Sequence, residues 1–313
     1  MNVNLKIKIT FLLGIFAWNA ATAQLQTEEI SLSNGNFAID GELSYITTKK
    51  TPLIIYISGS GNIDRNGNQG TQIQADYIRQ LAQALNKREI SVFRYDKRTA
   101  NSKNISFLDD SIRLDDFVSD VQLILAHFAN DERFTDINLL GHSQGSLVAM
   151  LATDVRVQRF ISVAGASETV EETLIAQLHK QSPALSSKAR EHFRELMATD
   201  TIRQVHPFLN SIFMPVNQRF LKSYNQYHPI EIMSKITIPS LIINGTNDLQ
   251  VPPDDARKLN AVAPQSRLVI IENMTHVLKI TQNRNEILQT YLSPDYPIAN
   301  QLVDEIADFV TQP

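Results

Sequence analysis

The sequence lacks cysteine altogether, and this absence excludes disulfide bonds, thiolate metal sites and thiol catalysis within its 313 residues. It also has little excess charge, because 29 Lys and Arg oppose 33 Asp and Glu to give a formal net charge of −4. That balance, with a pI near 6.0, argues against a nucleic-acid or anionic-membrane partner. An apolar content of 43% and a charged content of 20% are typical of a globular chain with an ample core, in one large domain or two ordinary ones.

Long apolar segments are scarce as well, and the one near the N-terminus is short. Two lysines precede an apolar run over residues 9–18, and Ala21-Thr22-Ala23 matches a small-x-small cleavage site. About ten apolar residues cannot span a bilayer, which needs about twenty. We therefore predict that residues 1–23 are a signal peptide and that no stable membrane anchor is present. The mature protein should start near Gln24, carry a net charge of −6 and be exported, either periplasmic or secreted.

Beyond this segment, the chain alternates predicted strands with predicted helices. Asn34-Gly35 lies between two segments of alternating polar and apolar residues and predicts a β-hairpin. A continuous apolar run, as at residues 53–57, is typical of a strand buried on both faces of a parallel sheet. The patterns predict strands over residues 28–32, 37–46, 53–57, 90–95, 137–140, 160–163, 240–244 and 267–271. They predict helices over residues 74–86, 115–130, 254–261 and 298–310.

One long segment breaks this alternation. Residues 167 to about 235 contain three or four predicted helices, for example over 171–179 and 188–197, and no predicted strand. We predict a helical cap inserted after the sixth strand, so that residues 24–313 form one domain. The predicted fold class is α/β, with a mainly parallel sheet covered by helices on both faces.

The most informative stretch is Gly141-His142-Ser143-Gln144-Gly145, which follows an apolar strand and opens a helix of small and apolar residues. A Gly-x-Ser-x-Gly turn between strand and helix holds its serine in a strained conformation with the hydroxyl raised clear of the sheet. The N-terminal amides of the helix then face developing negative charge. The pattern alone arises by chance in roughly one chain in ten of this length. Its place between strand and helix predicts that Ser143 is a nucleophile.

A serine hydroxyl needs a base, and the base needs an acid that orients it. Asp248 directly follows the strand predicted at 240–244, and His276 follows the strand predicted at 267–271. Both therefore belong to the carboxyl edge of the sheet, where catalytic groups of such folds lie. The chain order Ser143, Asp248, His276 corresponds to nucleophile, acid and base. We predict these three residues as a catalytic triad.

Other acids and histidines offer weaker alternatives. An aspartate after a strand is more often a turn residue or a helix cap, and Asp254 and Asp255 lie where a helix cap is expected. They are the first alternatives to Asp248. His142 adjoins the serine, but we expect its side chain to point away from the hydroxyl.

Two backbone amides must stabilise the oxyanion of an acyl-transfer reaction. The amide of Gln144, directly after the nucleophile, should provide one. The second should come from the loop after the third strand, where we favour Ser60 over Gly59. A phosphate cradle is the alternative for this loop, but the sequence has neither a Gly-Lys-Ser/Thr nor a G-x-G-x-x-G run.

With these elements placed, the chain resembles the α/β-hydrolase superfamily, and more narrowly its bacterial exported serine esterases, from about residue 28 to residue 310. Two positions depart from the usual pattern, with Ser58 where a histidine is common and Thr99 where a glycine often follows Asp-Lys-Arg. The motifs that carry the resemblance are Gly59-Ser60-Gly61-x-x-Asp64-Arg65, Tyr95-Asp96-Lys97-Arg98, Gly141-His142-Ser143-Gln144-Gly145 and Met274-Thr275-His276. We interpret four charged residues within these motifs as structural charge pairs, namely Asp64, Arg65, Asp96 and Arg98.

The resemblance implies an α/β-hydrolase fold and a serine carboxylic-ester hydrolase that acts on a small acyl ester without metal or cofactor. An acyl thioesterase or a small-peptide hydrolase would use the same catalytic groups, and a non-catalytic binding protein on this fold is a further alternative. The cap must bury an apolar side, and the open edge of the sheet beside Ser143 is the available surface. We therefore expect Phe208, Ile212 and Phe213 to line an acyl pocket.

Overall fold

The computed structural model describes residues 24–312, so the predicted signal peptide lies outside the described residues. The strands in this range are β1 (Leu25–Asn34), β2 (Phe37–Ile46), β3 (Thr51–Ile57), β4 (Asn68–Gln69), β5 (Ile73–Gln74), β6 (Ser91–Tyr95), β7 (Phe134–His142), β8 (Val157–Val163), β9 (Ser240–Gly245) and β10 (Ser266–Ile271). The helices are α1 (Tyr77–Asn86), α2 (Leu114–Phe128), α3 (Gln144–Ala152), α4 (Val170–Gln181), α5 (Pro183–Thr199), α6 (Asn210–Phe213), α7 (Pro215–Tyr224), α8 (Pro229–Met233), α9 (Pro253–Val262) and α10 (Asn300–Thr311). Short 3-10 helices cover Ser102–Phe107, Pro207–Leu209 and Arg284–Tyr291.

Eight strands form one sheet in the order β1-β2-β6-β3-β7-β8-β9-β10, and β4 pairs with β5 in a separate hairpin. The β1–β2 and β2–β6 pairs are antiparallel, whereas all neighbouring pairs from β6 to β10 are parallel. The hairpin predicted at Asn34-Gly35 is confirmed, with Asn34 opposite Phe37. Because the other strands run parallel, the loops that follow β3, β6, β7, β9 and β10 all open at the same carboxyl edge.

Helices cover both faces of this sheet, as predicted. Ile55 of β3 belongs to the apolar cluster that includes side chains of α2, α3 and α9. Ile54, the preceding residue, belongs to the cluster on the other face, with side chains of α1 and α10. Successive strand residues point to opposite faces, so a strand packed on both sides must be apolar throughout. The predicted α/β fold class is confirmed.

The helical cap is present where the sequence indicates it. In chain order β8 is the sixth strand of the large sheet, and α4 to α8 lie between β8 and β9. Several cap residues form an apolar cluster of their own, including Phe193, Leu196, Leu209 and Phe213. The cap therefore buries part of its apolar surface among its own helices rather than against the sheet.

The region between β3 and α1 departs most from the sequence prediction. A helix was expected from residue 74, but Gln74 belongs to β5 and α1 begins at Tyr77. Asp76, directly before the helix, has a left-handed backbone with φ 49°, which separates strand from helix. Strands of two residues, such as β4 and β5, are too short to show a periodic pattern. No helix within residues 24–312 is both long and apolar enough to cross a bilayer.

Candidate active site

Ser143 lies at the junction of β7 and α3. Its backbone has φ 54° and ψ −121°, a strained combination for a residue that carries a side chain. The Ser143 amide donates to the Val163 carbonyl at 2.9 Å, and its own carbonyl accepts from the Ser146 amide at 2.9 Å. Within residues 141–150, Ser143 alone is partly exposed, and all the others are buried. The turn thus raises one side chain out of a buried segment, as the motif predicts.

The two glycines of the motif allow α3 to approach the strands closely. A Cβ on Gly141 would lie 2.3 Å from the carbonyl oxygen of Gly145. A Cβ on Gly145 would lie 2.2 Å from the carbonyl oxygen of Ile57 on β3. Such distances are far inside van der Waals contact, and backbone carbonyls cannot rotate away as flexible side chains do. Any side chain at either position would therefore push the helix away from the sheet.

His276 and Asp248 meet at the same edge, in the loops that follow β10 and β9. The His276 Nδ1 donates to Oδ2 of Asp248 at 2.7 Å, and both side chains are buried. The other oxygen of Asp248 accepts the backbone amides of Gln250 at 2.8 Å and Val251 at 2.9 Å. Because a carboxylate can only accept here, Nδ1 carries the proton and Nε2 remains as the basic nitrogen. This is the protonation state that a base for serine requires.

The loop that presents His276 is tied to the serine turn through His142. The His142 Nε2 donates to the His276 carbonyl at 2.8 Å, and the two ring centroids are 4.8 Å apart. Burial, with a smaller effect of His276, lowers the pKa of His142 to about 3, so its ring stays neutral near neutral pH. Within residues 24–312, the Ser143 hydroxyl, which is partly exposed, has no side-chain hydrogen-bond partner. Nucleophile–base contacts are often long before substrate binds.

The predicted oxyanion loop lies directly against the serine turn. A Cβ on Gly59 would come within 3.1 Å of the Ser143 Cβ. Gly59 is buried and Ser60 is exposed. Gln144, directly after the serine, is the first residue of α3. The two backbone segments proposed as amide donors therefore both adjoin Ser143.

Lys97 is a residue near this site that the sequence analysis did not identify. Its Nζ donates to the Gly59 carbonyl at 2.7 Å and to the Gln144 side-chain oxygen at 2.6 Å. It also lies 4.7 Å from the centroid of the Phe117 ring. Burial lowers the pKa of Lys97 to about 7. The signal available in the sequence was its place two residues after the end of β6, the neighbour of β3.

The charged residues around these loops pair only partly as predicted. Arg65 and Asp96 form a two-point ion pair at 2.7 and 3.1 Å. Arg98 pairs instead with Asp120, at 2.6 and 2.8 Å. The prediction of a charge pair was wrong for Asp64, whose Oδ1 accepts two backbone amides of its own loop at 2.8 and 2.9 Å. A carboxylate that follows a strand can close a turn in this way, and the sequence does not distinguish the two roles.

The two alternative acids have other partners. Asp255 accepts the amide of Ser167 at 2.8 Å and its hydroxyl at 2.6 Å, which fixes the start of the cap to α9. Asp254 pairs with Arg257 on the surface. Neither carboxylate bonds to His276, whose acidic partner is Asp248. In the part of the chain that the structure describes, no three His, Asp or Glu side chains converge as a metal site.

The cap reaches the site from two sides. From α4, the Gln177 side chain donates to the Gln250 carbonyl at 3.2 Å, next to the acid. From α7, Phe220 packs against Phe117 with ring centroids 5.7 Å apart. Burial raises the pKa of Tyr224 above its usual range, and the neighbouring Gln144 side chain opposes this rise. Helix α7 therefore adjoins Gln144 at the serine turn, and α8 also contacts α3.

The three residues expected to line an acyl pocket lie in the cap cluster, against it, or on the surface. Phe213 is fully buried in the cap cluster, with its ring 5.0 Å from that of Phe193. Phe208 is 81% exposed, and Ile212 packs against the cap cluster. The prediction was wrong for Phe213, because its ring is enclosed by the cap cluster that α5 helps to form. For the exposed Phe208 and for Ile212 the pocket role stays a prediction. On α7, Phe220 packs on Phe117 and Tyr224 neighbours Gln144, and no sequence pattern indicated either contact.

Comparison with known proteins agrees with this geometry. The sequence model of the family described as serine aminopeptidase, S33, matches residues 69–280. The chain belongs to this family of α/β-hydrolases. The match includes the serine turn, the cap and the loops of Asp248 and His276.

Individual relatives of this family member are distant. Esterase EstD of Thermotoga maritima is 20% identical over 268 residues, which cover 83% of this chain and 62% of EstD. The chain thus spans less than two thirds of the length of that relative. The protein named Probable aminopeptidase YbaC of Bacillus subtilis is 24% identical over 318 residues, covering 79% of this chain and 93% of YbaC. The solved structure of Est1E from Butyrivibrio proteoclasticus has the same fold, with a TM-score of 0.56 at 16% identity over 89% of this chain and 99% of Est1E.

Proposed function

We propose that this protein is a serine hydrolase that cleaves carboxylic esters through Ser143, His276 and Asp248. The proposal rests on the buried 2.7 Å bond between His276 and Asp248, beside a serine held at φ 54° at the start of a helix. Family membership and the names of two similar esterases, EstD and Est1E, support it.

The reaction would proceed by two acyl-transfer steps. His276 Nε2 takes the proton of the Ser143 hydroxyl as the oxygen attacks the ester carbonyl, and Asp248 stabilises the imidazolium that forms. The imidazolium then protonates the departing alcohol, leaving an acyl-enzyme. A water molecule deprotonated by His276 attacks this ester and releases the acid. The steps require neither a metal nor a cofactor.

The negative oxygen of each tetrahedral intermediate would be held by backbone amides. We assign these donors to Gln144, directly after Ser143, and to Ser60, whose preceding residue Gly59 packs against Ser143. Donors fixed by the fold need no reorientation during the reaction, and this makes them effective. Helix α3 adds the positive end of its dipole at the same point.

An aminopeptidase is the second candidate, because the family description and the name of YbaC both point to that activity. Such an enzyme must hold the ammonium group of its substrate close to the scissile carbonyl. Here the buried amino group of Lys97 lies beside Gln144, and in its protonated form it would repel a substrate cation. This contact favours esters without a nearby positive charge. An acyl thioesterase would use the same catalytic groups and remains the third candidate.

A fluorophosphonate probe and a substrate panel test the proposal. The probe should label Ser143 in the wild type, and Ser143→Ala should abolish the labelling. Turnover should be fastest on p-nitrophenyl esters, compared with acyl-CoA thioesters and aminoacyl p-nitroanilides. Faster turnover of an anilide or a thioester would replace the ester assignment. A labelled serine other than Ser143, or no labelling, would contradict the mechanism.

We also propose that the protein is exported, since residues 1–23 have the charge, apolar run and cleavage site of a signal peptide. N-terminal sequencing of protein from the native host should find a start at or very near Gln24. An intact N-terminus on a cytoplasmic pool would contradict export.

A further inference from the structure

Lys97 carries a buried amino group that the proposed acyl-transfer steps do not use. The residue is 6% exposed, and within residues 24–312 its ammonium forms no ion pair. The adjacent charges are engaged elsewhere, since Asp96 pairs with Arg65 and Arg98 with Asp120. Burying an ammonium without a carboxylate costs free energy. The contacts of Lys97 must therefore compensate for that cost, or serve a function.

The two side-chain hydrogen bonds of Lys97 lead to the two segments that adjoin Ser143. One acceptor is the Gly59 carbonyl at 2.7 Å, and the other is the Gln144 side-chain oxygen at 2.6 Å. The Phe117 ring lies 4.7 Å from the ammonium. The backbone amide of Lys97 also donates to the Ile63 carbonyl at 3.3 Å, so Lys97 holds the oxyanion loop at two points.

The bond to Gly59 has a geometric consequence for Ser60. The Gly59 carbonyl and the Ser60 amide belong to one planar peptide group. In a trans peptide they point in opposite directions, and no cis peptide occurs in the described chain. Fixing the carbonyl on Lys97 therefore fixes the direction of the Ser60 N–H, away from the ammonium.

The hydrogen bond from Lys97 to the Gln144 side chain restrains the residue that carries the second oxyanion amide. Gln144 opens α3, and its buried side chain is held by the same ammonium. A single amino group thus restrains the two residues whose amides we assign to the oxyanion. In its protonated form it also has the charge that favours a negative oxygen held by those amides.

We propose that Lys97 is a positioning residue that aligns the Ser60 and Gln144 amides on the oxyanion. This inference rests on the proposed function, because it needs an oxyanion to form at Ser143. Lys97 acts through the two backbone segments and does not itself contact the substrate.

Lys97→Met tests the proposal, because methionine keeps an unbranched apolar stem against Phe117 and removes the ammonium. On a p-nitrophenyl ester, kcat should fall about 10- to 100-fold, less than the roughly 10²- to 10³-fold effect of removing an oxyanion donor itself. KM should change less than about twofold. Phenylboronic acid, which forms a tetrahedral adduct with an active serine, should bind more weakly by the same factor as kcat/KM falls.

A purely structural lysine would behave differently. Its loss would lower the unfolding temperature and leave kcat and phenylboronic acid binding of the folded protein unchanged, and this result would overturn the proposal. Lys279→Met is a matched control, since Lys279 is also buried but donates to the Tyr296 carbonyl at 2.6 Å, away from the oxyanion amides. That variant should bind phenylboronic acid as the wild type does.

A second variant covers the case in which Lys97→Met does not fold. Gln144→Leu removes one acceptor of the ammonium and keeps the backbone amide, so kcat and boronate affinity should fall together by several-fold. Unchanged values would overturn the proposal.

Ser143→Ala distinguishes a failure of the alignment role of Lys97 from a failure of the proposed function. If Ser143→Ala is inactive while Lys97→Met is fully active, the alignment role alone fails. If Ser143→Ala remains active, the proposed function fails first.

Discussion

The carboxyl edge of the sheet and the helical cap position their residues in different ways. At the sheet edge, contacts to the backbone fix the positions of the residues. Gly145 packs on the Ile57 carbonyl, and the His276 carbonyl accepts a hydrogen bond from His142. In the cap, apolar side chains around Phe213 pack on one another. A hydrogen bond or a close backbone contact allows little variation in position, whereas an apolar cluster tolerates changes of shape and size. The sheet edge is therefore suited to fixed chemistry, and the cap is suited to variation in substrate.

The largest effect expected from this comparison concerns the three residues proposed as the catalytic triad at the sheet edge. Ser143→Ala should lower kcat by about 10⁴-fold or more without unfolding the protein, and His276→Ala should do nearly the same. Asp248→Asn should cost somewhat less. Asp254→Asn is the control, because that carboxylate pairs only with surface Arg257. If Asp248→Asn kept near-normal activity, the orienting acid would have to be another residue.

The next largest effect is a loss of stability when the close contact between Gly145 and the Ile57 carbonyl is disturbed. Gly145→Ala places a methyl group 2.2 Å from the Ile57 carbonyl oxygen, so we expect a loss of about 3 kcal/mol or more in unfolding free energy. Gly35→Ala is a useful comparison, because its Cβ meets nothing within 4 Å and only the positive φ of 62° opposes it. That variant should lose about 1 kcal/mol. Urea unfolding measures both values, and equal losses would show that the close contact is not decisive.

In the cap, we expect one substitution to change the stability of the protein and another to change its preference for acyl chain length. Phe213→Ala should lower the unfolding free energy by about 3–5 kcal/mol, because it opens a cavity in the cap cluster. It should leave the preferred acyl chain length unchanged. Phe220→Ala, beside Phe117, should instead shift the chain-length preference on p-nitrophenyl esters, with about 1 kcal/mol per methylene. A shift caused by Phe213→Ala but not by Phe220→Ala would reverse this assignment.

The effect that is smallest near neutral pH, and that grows only in acid, is a pH dependence of stability at the junction between the serine turn and the His276 loop. Burial lowers the pKa of His142 to about 3, against about 6.5 in an unfolded chain. Between these values the unfolded state binds a proton that the folded state does not, so stability falls as the pH drops from 6.5 toward 3. His142→Gln keeps a donor for the His276 carbonyl and removes this titration. Its unfolding free energy should therefore fall less steeply with acid, and parallel curves would contradict the shift.

Much of the sheet and the chain order of the site could be predicted because the signals are local. The serine turn needs only five adjacent residues, and the strand that feeds it needs one apolar run. The positions of Asp248 and His276 follow from a general rule for parallel sheets, that loops after the strands meet at one edge. The contact between them then needed only neighbouring strands, and β9 and β10 are neighbours.

Other features depended on packing between distant segments, which no local pattern records. The sequence shows that Phe213 and Phe220 are both apolar, but only the tertiary structure decides that one faces the cap cluster and the other Phe117. Likewise, the sequence shows Lys97 only as one lysine in a charged run. The tertiary structure buries it between the Gly59 carbonyl and the Gln144 side chain. The sequence alone thus determined the chemical groups and the order of the strands that carry them. The tertiary structure decided which side chains are buried together and which of them touch, because burial and contact depend on residues far apart in the chain.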